Sequence, residues 1–232
     1  MKLTKAQRTM LLVGLLPLLA VVVGGAAVTV GTIRGKLPYS YSAAFTPGAD
    51  GVQIKAGVPT QIEASLDGQV HVTVDGTYAE QRPAVQIAPA GDQLVVQAAC
   101  PDSHCDVDLV VEVPAITAVK AKVEGTSVDV AGVSSPLAVD VSGGSVDMKR
   151  VRSTQVSVDA RRGSISMSFD APPDQLAATA SDGSITLQLP RTTNYAIDAV
   201  AAQGSTQVAV PNDATASHRV YLRTSYGSIT VQ

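Results

Sequence analysis

The chain has 232 residues, of which 16% are charged, 45% hydrophobic and 3% aromatic, with no Trp and a formal net charge of −3. With Lys2, Lys5 and Arg8 set aside, 14 basic residues face 20 acidic ones. A body near −6 with no basic patch and no interleaved aromatics lacks the electrostatic footprint of a phosphate-backbone binder, which excludes nucleic acid as a partner.

The first nine residues carry those three cations and no acid. From Met10 to Ile33 no side chain ionises. At about 1.5 Å per helical residue this run reaches about 36 Å, more than the roughly 30 Å of a bilayer's hydrocarbon core. The segment 10–33 therefore reads as one transmembrane helix in which Pro17 and Gly24-Gly25 are tolerated. The competing reading is a cleaved signal peptide, since Gly24-Gly25-Ala26-Ala27 offers small residues to a peptidase, although the apolar run continues past it to Ile33. With no Cys nearby, a lipoprotein anchor is excluded. The cationic leader puts the tail 1–9 in the cytoplasm and the residues beyond the span outside it, a bias that Arg34 and Lys36 reduce.

Residues 34–50, with Pro38, Ser40, Ser42, Pro47 and Gly48, read as a linker, in which Tyr39 and Tyr41 stand where rings meet lipid headgroups. An extracytoplasmic domain is then expected over 51–232. Val52, Ile54 and Ala56 alternate with polar neighbours, as do Val70, Val72 and Val74, and Val107, Leu109, Val111 and Val113, the period of half-buried strands. Gly57, Asp67-Gly68, Asp75-Gly76 and Gly91-Asp92 punctuate them as turns.

The second half repeats a turn motif of Gly, Ser or Thr, then alternating apolar residues. Aligned on Ser127, Ser145, Ser164, Ser184, Ser205 and Ser228, the six copies are 18 to 23 residues apart. Between copies lies a second alternating segment, such as Val139 and Val141 or Val156 and Val158. Each unit thus supplies two strands. Two strands cannot bury their own apolar face, so the units must stack, and an all-β, repeat-built β-solenoid or β-roll is the expected fold. An antiparallel β-sandwich is the alternative.

The stretch VDLVVEVP at 107–114, the Gly-Ser-Val and Gly-Ser-Ile copies and the closing YGSITV at 226–231 resemble the bacterial family called putative adhesin. In that family a β-strand-repeat domain carries Gly-Asp or Gly-Ser before Ile or Val at intervals of about twenty residues. The resemblance runs from about Gly51 to Gln232 and implies the same repeat fold behind one N-terminal membrane helix. Here Ser stands where Asp is common.

Chemistry-bearing residues are few. Cys100 and Cys105 are separated by four residues between two strand signals, close enough for the roughly 4.4–6.8 Å that a disulfide needs between Cα atoms. His104 between them leaves a tetrahedral metal site one ligand short, so no metal is expected. His71 and His218 read as surface residues, and no Gly-x-Ser-x-Gly elbow accompanies them, so no catalytic residue is assigned. Asp129, Asp140, Asp147 and Asp159 recur in Val-Asp contexts and could line up on an outer solenoid face, solvated rather than holding calcium, with Lys149, Arg150, Arg152, Arg161 and Arg162 to neutralise them. Asp106, Asp108 and Glu112 form another solvated row.

The reading is a membrane-anchored cell-envelope scaffold that uses no cofactor and presents a surface to an envelope protein or glycan, in adhesion or envelope sensing. A polysaccharide-acting envelope enzyme on a β-helix and a structural spacer are the alternatives. The first would need a concave acid and base, which no spacing singles out.

Overall fold

A computed structural model describes residues 35–232. The leader 1–9 and the apolar segment 10–33 lie outside the described residues. The chain separates into a unit ending at Leu37 and a second unit, Pro38–Gln232, which holds the two sheets. Among the described residues no helix is long and apolar enough to cross a membrane.

In chain order the strands are β1 (Leu37–Phe45), β2 (Val52–Ala56), β3 (Thr60–Ala64), β4 (Val70–Tyr78), β5 (Ala84–Ala90), β6 (Gln93–Ala99), β7 (Asp106–Val113), β8 (Val119–Glu124), β9 (Val128–Ala131) and β10 (Leu137–Ser142). They continue as β11 (Val146–Val151), β12 (Gln155–Arg162), β13 (Ile165–Phe169), β14 (Gln175–Asp182), β15 (Ile185–Gln188), β16 (Tyr195–Gln203), β17 (Thr206–Val208), β18 (His218–Tyr226) and β19 (Ile229–Val231). From β8 onward successive strands alternate between two sheets, so that each pair makes one rung. Sheet I runs β1-β4-β7-β3-β9-β11-β13-β15-β19-β17, and sheet II runs β16-β18-β14-β12-β10-β8-β2-β6-β5.

The ladders of the repeat are parallel, as between β10 and β12 or β13 and β15. Antiparallel pairing joins β4 to β7 and β5 to β6 at one end of the stack. This is the solenoid-like solution rather than the antiparallel sandwich. Period-two alternation is what fills it: Val128, Val146, Ile165, Ile185 and Ile229 stand in register along sheet I, each 1% exposed or less. Leu137, Val156, Leu176 and Val220 form the facing ladder of sheet II. One core thus runs between the two sheets, fed by every rung.

The rungs do not stack in chain order at either end. The pair β2/β3 lies between β6/β7 and β8/β9, and the C-terminal pair β18/β19 lies between β14/β15 and β16/β17. Both ends of the repeat region are therefore inner rungs.

The linker reading of 34–50 is corrected. Residues Leu37–Phe45 form β1, an edge strand beside β4, and Tyr39, Tyr41 and Phe45 pack against the core, with the Tyr39 ring edge-on to Tyr78 at 6.3 Å. The Pro and Ser residues hid a period-two pattern. Tyr39 and Tyr41 are thus core-flanking side chains.

Candidate functional site

The Gly-Ser corner, where the chain passes from sheet II to sheet I, is structural. Ser145 donates its backbone N–H to Ser127 Oγ at 3.1 Å, Ser164 to Ser145 Oγ at 3.3 Å, Ser184 to Ser164 Oγ at 3.2 Å, and Ser228 to Ser184 Oγ at 3.1 Å. Ser205 completes the row on Ser228. The glycine has a steric cause: a Cβ on Gly144 would come 1.8 Å from Thr126 O, and one on Gly183 would come 2.1 Å from Gly163 O. The motif is thus a corner staple, used up in holding rungs together. In the β6/β7 rung the disulfide of Cys100 and Cys105, with Cα atoms 5.5 Å apart, occupies the same corner.

The four aspartates do not share a face. Asp129 and Asp147 are register partners on sheet I, whereas Asp140 and Asp159 are partners on sheet II, so they separate into two pairs on opposite outer faces. The physical reason is that alternate strands go to alternate sheets. Lys149 meets Asp147 at 2.7 Å and Arg161 meets Asp140 at 3.7 Å. Among the described residues no three His, Cys, Asp or Glu side chains come together as a metal site.

The histidines are dispersed. His71 bonds Asp67 Oδ2 at 2.8 Å on the outer side of β4. The exposed His104 lies in the disulfide loop, its backbone N–H on Asp102 Oδ1 at 2.8 Å. His218 is less exposed than a surface reading implies, since its Nδ1 is 3.0 Å from Pro173 O and its ring lies 5.8 Å from Tyr195.

The outer face of sheet II carries a feature that sequence reasoning missed. Lys120, Ala138, Ser157, Ala177 and Tyr221 are register partners on β8, β10, β12, β14 and β18, all on the outward side. The three central side chains are small. The neighbouring outward row holds Pro136, Gln155, Gln175 and Arg219. Between them lies an open trough of about 550 Å³, bounded at its ends by Lys120 and by Tyr221 with Arg219. Four inter-strand steps of about 4.8 Å make it about 19 Å long in the stacking direction.

Tyr221 is held in place by Arg223, two residues along the same face, whose guanidinium lies 3.8 Å from the ring centroid. Arg223 is itself fixed by the Asp198 carboxylate and by the carbonyls of Asp198 and Leu222, both at 2.9 Å. The 46% exposed Tyr221 is therefore a presented ring rather than a loose one. Only the inter-rung register, which no local pattern in the sequence encodes, brings these residues together.

A family model described as Toastrack DUF4097 matches residues 92–232, more than half of the chain, beginning later than the Gly51 start of the sequence resemblance. No curated protein matches. A solved structure from Clostridium sporogenes, named a putative cell adhesion protein, is similar with a TM-score of 0.50 at 9% identity, over 84% of this chain and 99% of that one. A putative adhesin from Bacteroides fragilis aligns over 84% of this chain and 97% of its own at 12% identity, with a TM-score of 0.35. The first of these likenesses bears on the fold.

Proposed function

We propose a function for a chain that belongs to the Toastrack DUF4097 family: it is an adhesin-like binding scaffold of the cell envelope. The segment 10–33 anchors it, the tail 1–9 stays in the cytoplasm, and the β-repeat body stands outside. It works by contact and turns over no substrate. The observation that carries this reading is the trough on sheet II, an open row of small side chains bounded by a fixed ring and two cations on a face that the core holds rigid. The cell-adhesion name of the Clostridium sporogenes neighbour agrees with it, as does the cationic leader ahead of an uncharged run.

Photo-crosslinking in living cells tests the reading. A photoreactive residue at Ala177, on the trough floor, should capture an envelope component, while one at Thr186, on the outer face of sheet I, should not. Absence of adducts at Ala177 and at Ser157 alike would sink the scaffold reading. Protease added to wall-stripped cells should remove the body, and full protection would reverse the orientation.

A further inference from the structure

We propose that the sheet II trough binds a linear anionic glycan laid along the stacking direction, across strands β8 to β18. This rests on the scaffold reading above and names its ligand.

Shape comes first. The trough is about 19 Å long, open along its length, and floored by Ala138, Ser157 and Ala177. An enclosed cavity suits a compact molecule; this one suits a chain. The second step is which chain. On a sheet face the backbone N–H and C=O groups lie in the sheet plane and are taken by the neighbouring strands, so only side chains are offered outward. An extended peptide gains none of the main-chain hydrogen bonds that drive its addition to a sheet edge. A glycan carries its own outward hydroxyls, which Gln155, Gln175 and Ser157 can meet as donors and acceptors, and a sugar face can rest on the Tyr221 ring.

The sign of charge is set by the residues that border the trough. Lys120 and Arg219 contribute their charges without an ion pair among the described residues, and no carboxylate lines the trough itself. In the next outward row Asp140 is met by Arg161 at 3.7 Å, Lys122 by Glu124 at 3.0 Å, and Arg223 by Asp198. Asp159 in that row has no such partner among the described residues and stands as an acceptor for a hydroxyl. Two cations at opposite ends, on a body near −6 that otherwise repels polyanions, complement acidic groups spaced along a chain.

The test uses the full chain in detergent micelles and a linear oligogalacturonate as probe, with a neutral cello-oligosaccharide of equal length and poly-glutamate as comparators, read by calorimetry. Oligogalacturonate should bind, more weakly as salt rises. The double variant Lys120→Glu/Arg219→Glu should lower its affinity at least tenfold, as should Ala177→Leu, which fills the floor without changing charge. Thr186→Glu, on the other sheet, should change it less than twofold. Equal binding of the neutral glycan overturns the anionic part, and equal binding of poly-glutamate overturns the glycan. No binding of any probe, with Ala177 still capturing an envelope component in cells, refutes the glycan and leaves the scaffold standing.

Discussion

Ser228 donates its backbone N–H to Ser184 Oγ across 44 residues, while Ser205, nearer to Ser184 in the chain, sits on the far side of Ser228. The corner row is continuous only because the last rung has been slipped between two earlier ones.

The two residues of the Gly-Ser motif contribute unequally. A Cβ at Gly183 meets the Gly163 carbonyl oxygen at 2.1 Å and its carbon at 2.5 Å, and these are backbone atoms rather than the end of a flexible side chain. Gly183→Ala should cost about 1–3 kcal/mol by overpacking. Ser184→Ala removes a hydroxyl that accepts one exposed N–H, and should cost about 0.5–1.5 kcal/mol. Urea midpoints at unchanged slope measure both, and a larger loss for Ser184→Ala would refute the steric account.

The two-strand unit and the inward ladder were legible because Val128-Asp129-Val130 and Ile165-Ser166-Met167 state a period of two and a repeat near nineteen. The order of the rungs was not, because identical Gly-Ser corners fit any neighbour. A signal did exist: Thr206 stands where other copies carry a buried Val or Ile, and it is exposed together with Gln207 and Val208 in the terminal strand β17. Asp129 and Asp147 share a face because they are one repeat apart, and Asp140 lies half a repeat away on the other sheet. The trough was illegible for a related reason, since Ala138, Ser157 and Ala177 become a floor only once register sets them side by side.

The cysteine pair reports on the body's location. With the body outside the cytoplasm, whole-cell protein denatured without reductant should show no alkylation at Cys100 or Cys105. Full alkylation of both would overturn the extracytoplasmic placement. A Cys100→Ala/Cys105→Ala variant should lose about 2 kcal/mol by the chain-entropy argument for so short a loop, read as a lower urea midpoint than that of the oxidised parent.

The turn before β4 should respond to acid. The Asp67 carboxyl is held below its ordinary value of 3.8 by the Gln69 N–H first, then the Ser65 hydroxyl and His71. A lowered pKa in the folded state means that Asp67 stabilises the turn above the ordinary value and that this contribution is lost as pH falls through the depressed one. A carboxyl titration by NMR should place Asp67 below its ordinary value of 3.8, and faster exchange at the Gln69 amide should follow its protonation. An Asp67 midpoint at or above that ordinary value would contradict the geometry.

Removing Gly227–Gln232 should damage more than the chain's end. In a solenoid stacked in sequence order, those residues would form an outermost strand, and their loss would expose one edge while leaving Thr206–Val208 paired to β15. Here β19 lies between β15 and β17, and it is the strand that holds β17 in sheet I. The deletion takes out Ile229 and Val231, both fully buried, which at about 1.5–3 kcal/mol each amounts to much of the 5–15 kcal/mol that stabilises a domain. It also removes the Ser228 carbonyl that accepts the Ile185 N–H at 2.9 Å. Hydrogen exchange should therefore show protection lost at Thr206–Val208 and at Ile185 together, with the far end of the stack, β4 in sheet I and β6 in sheet II, affected last. If Thr206–Val208 stayed protected in the truncated protein while only residues next to the cut opened, the inserted last rung would be wrong.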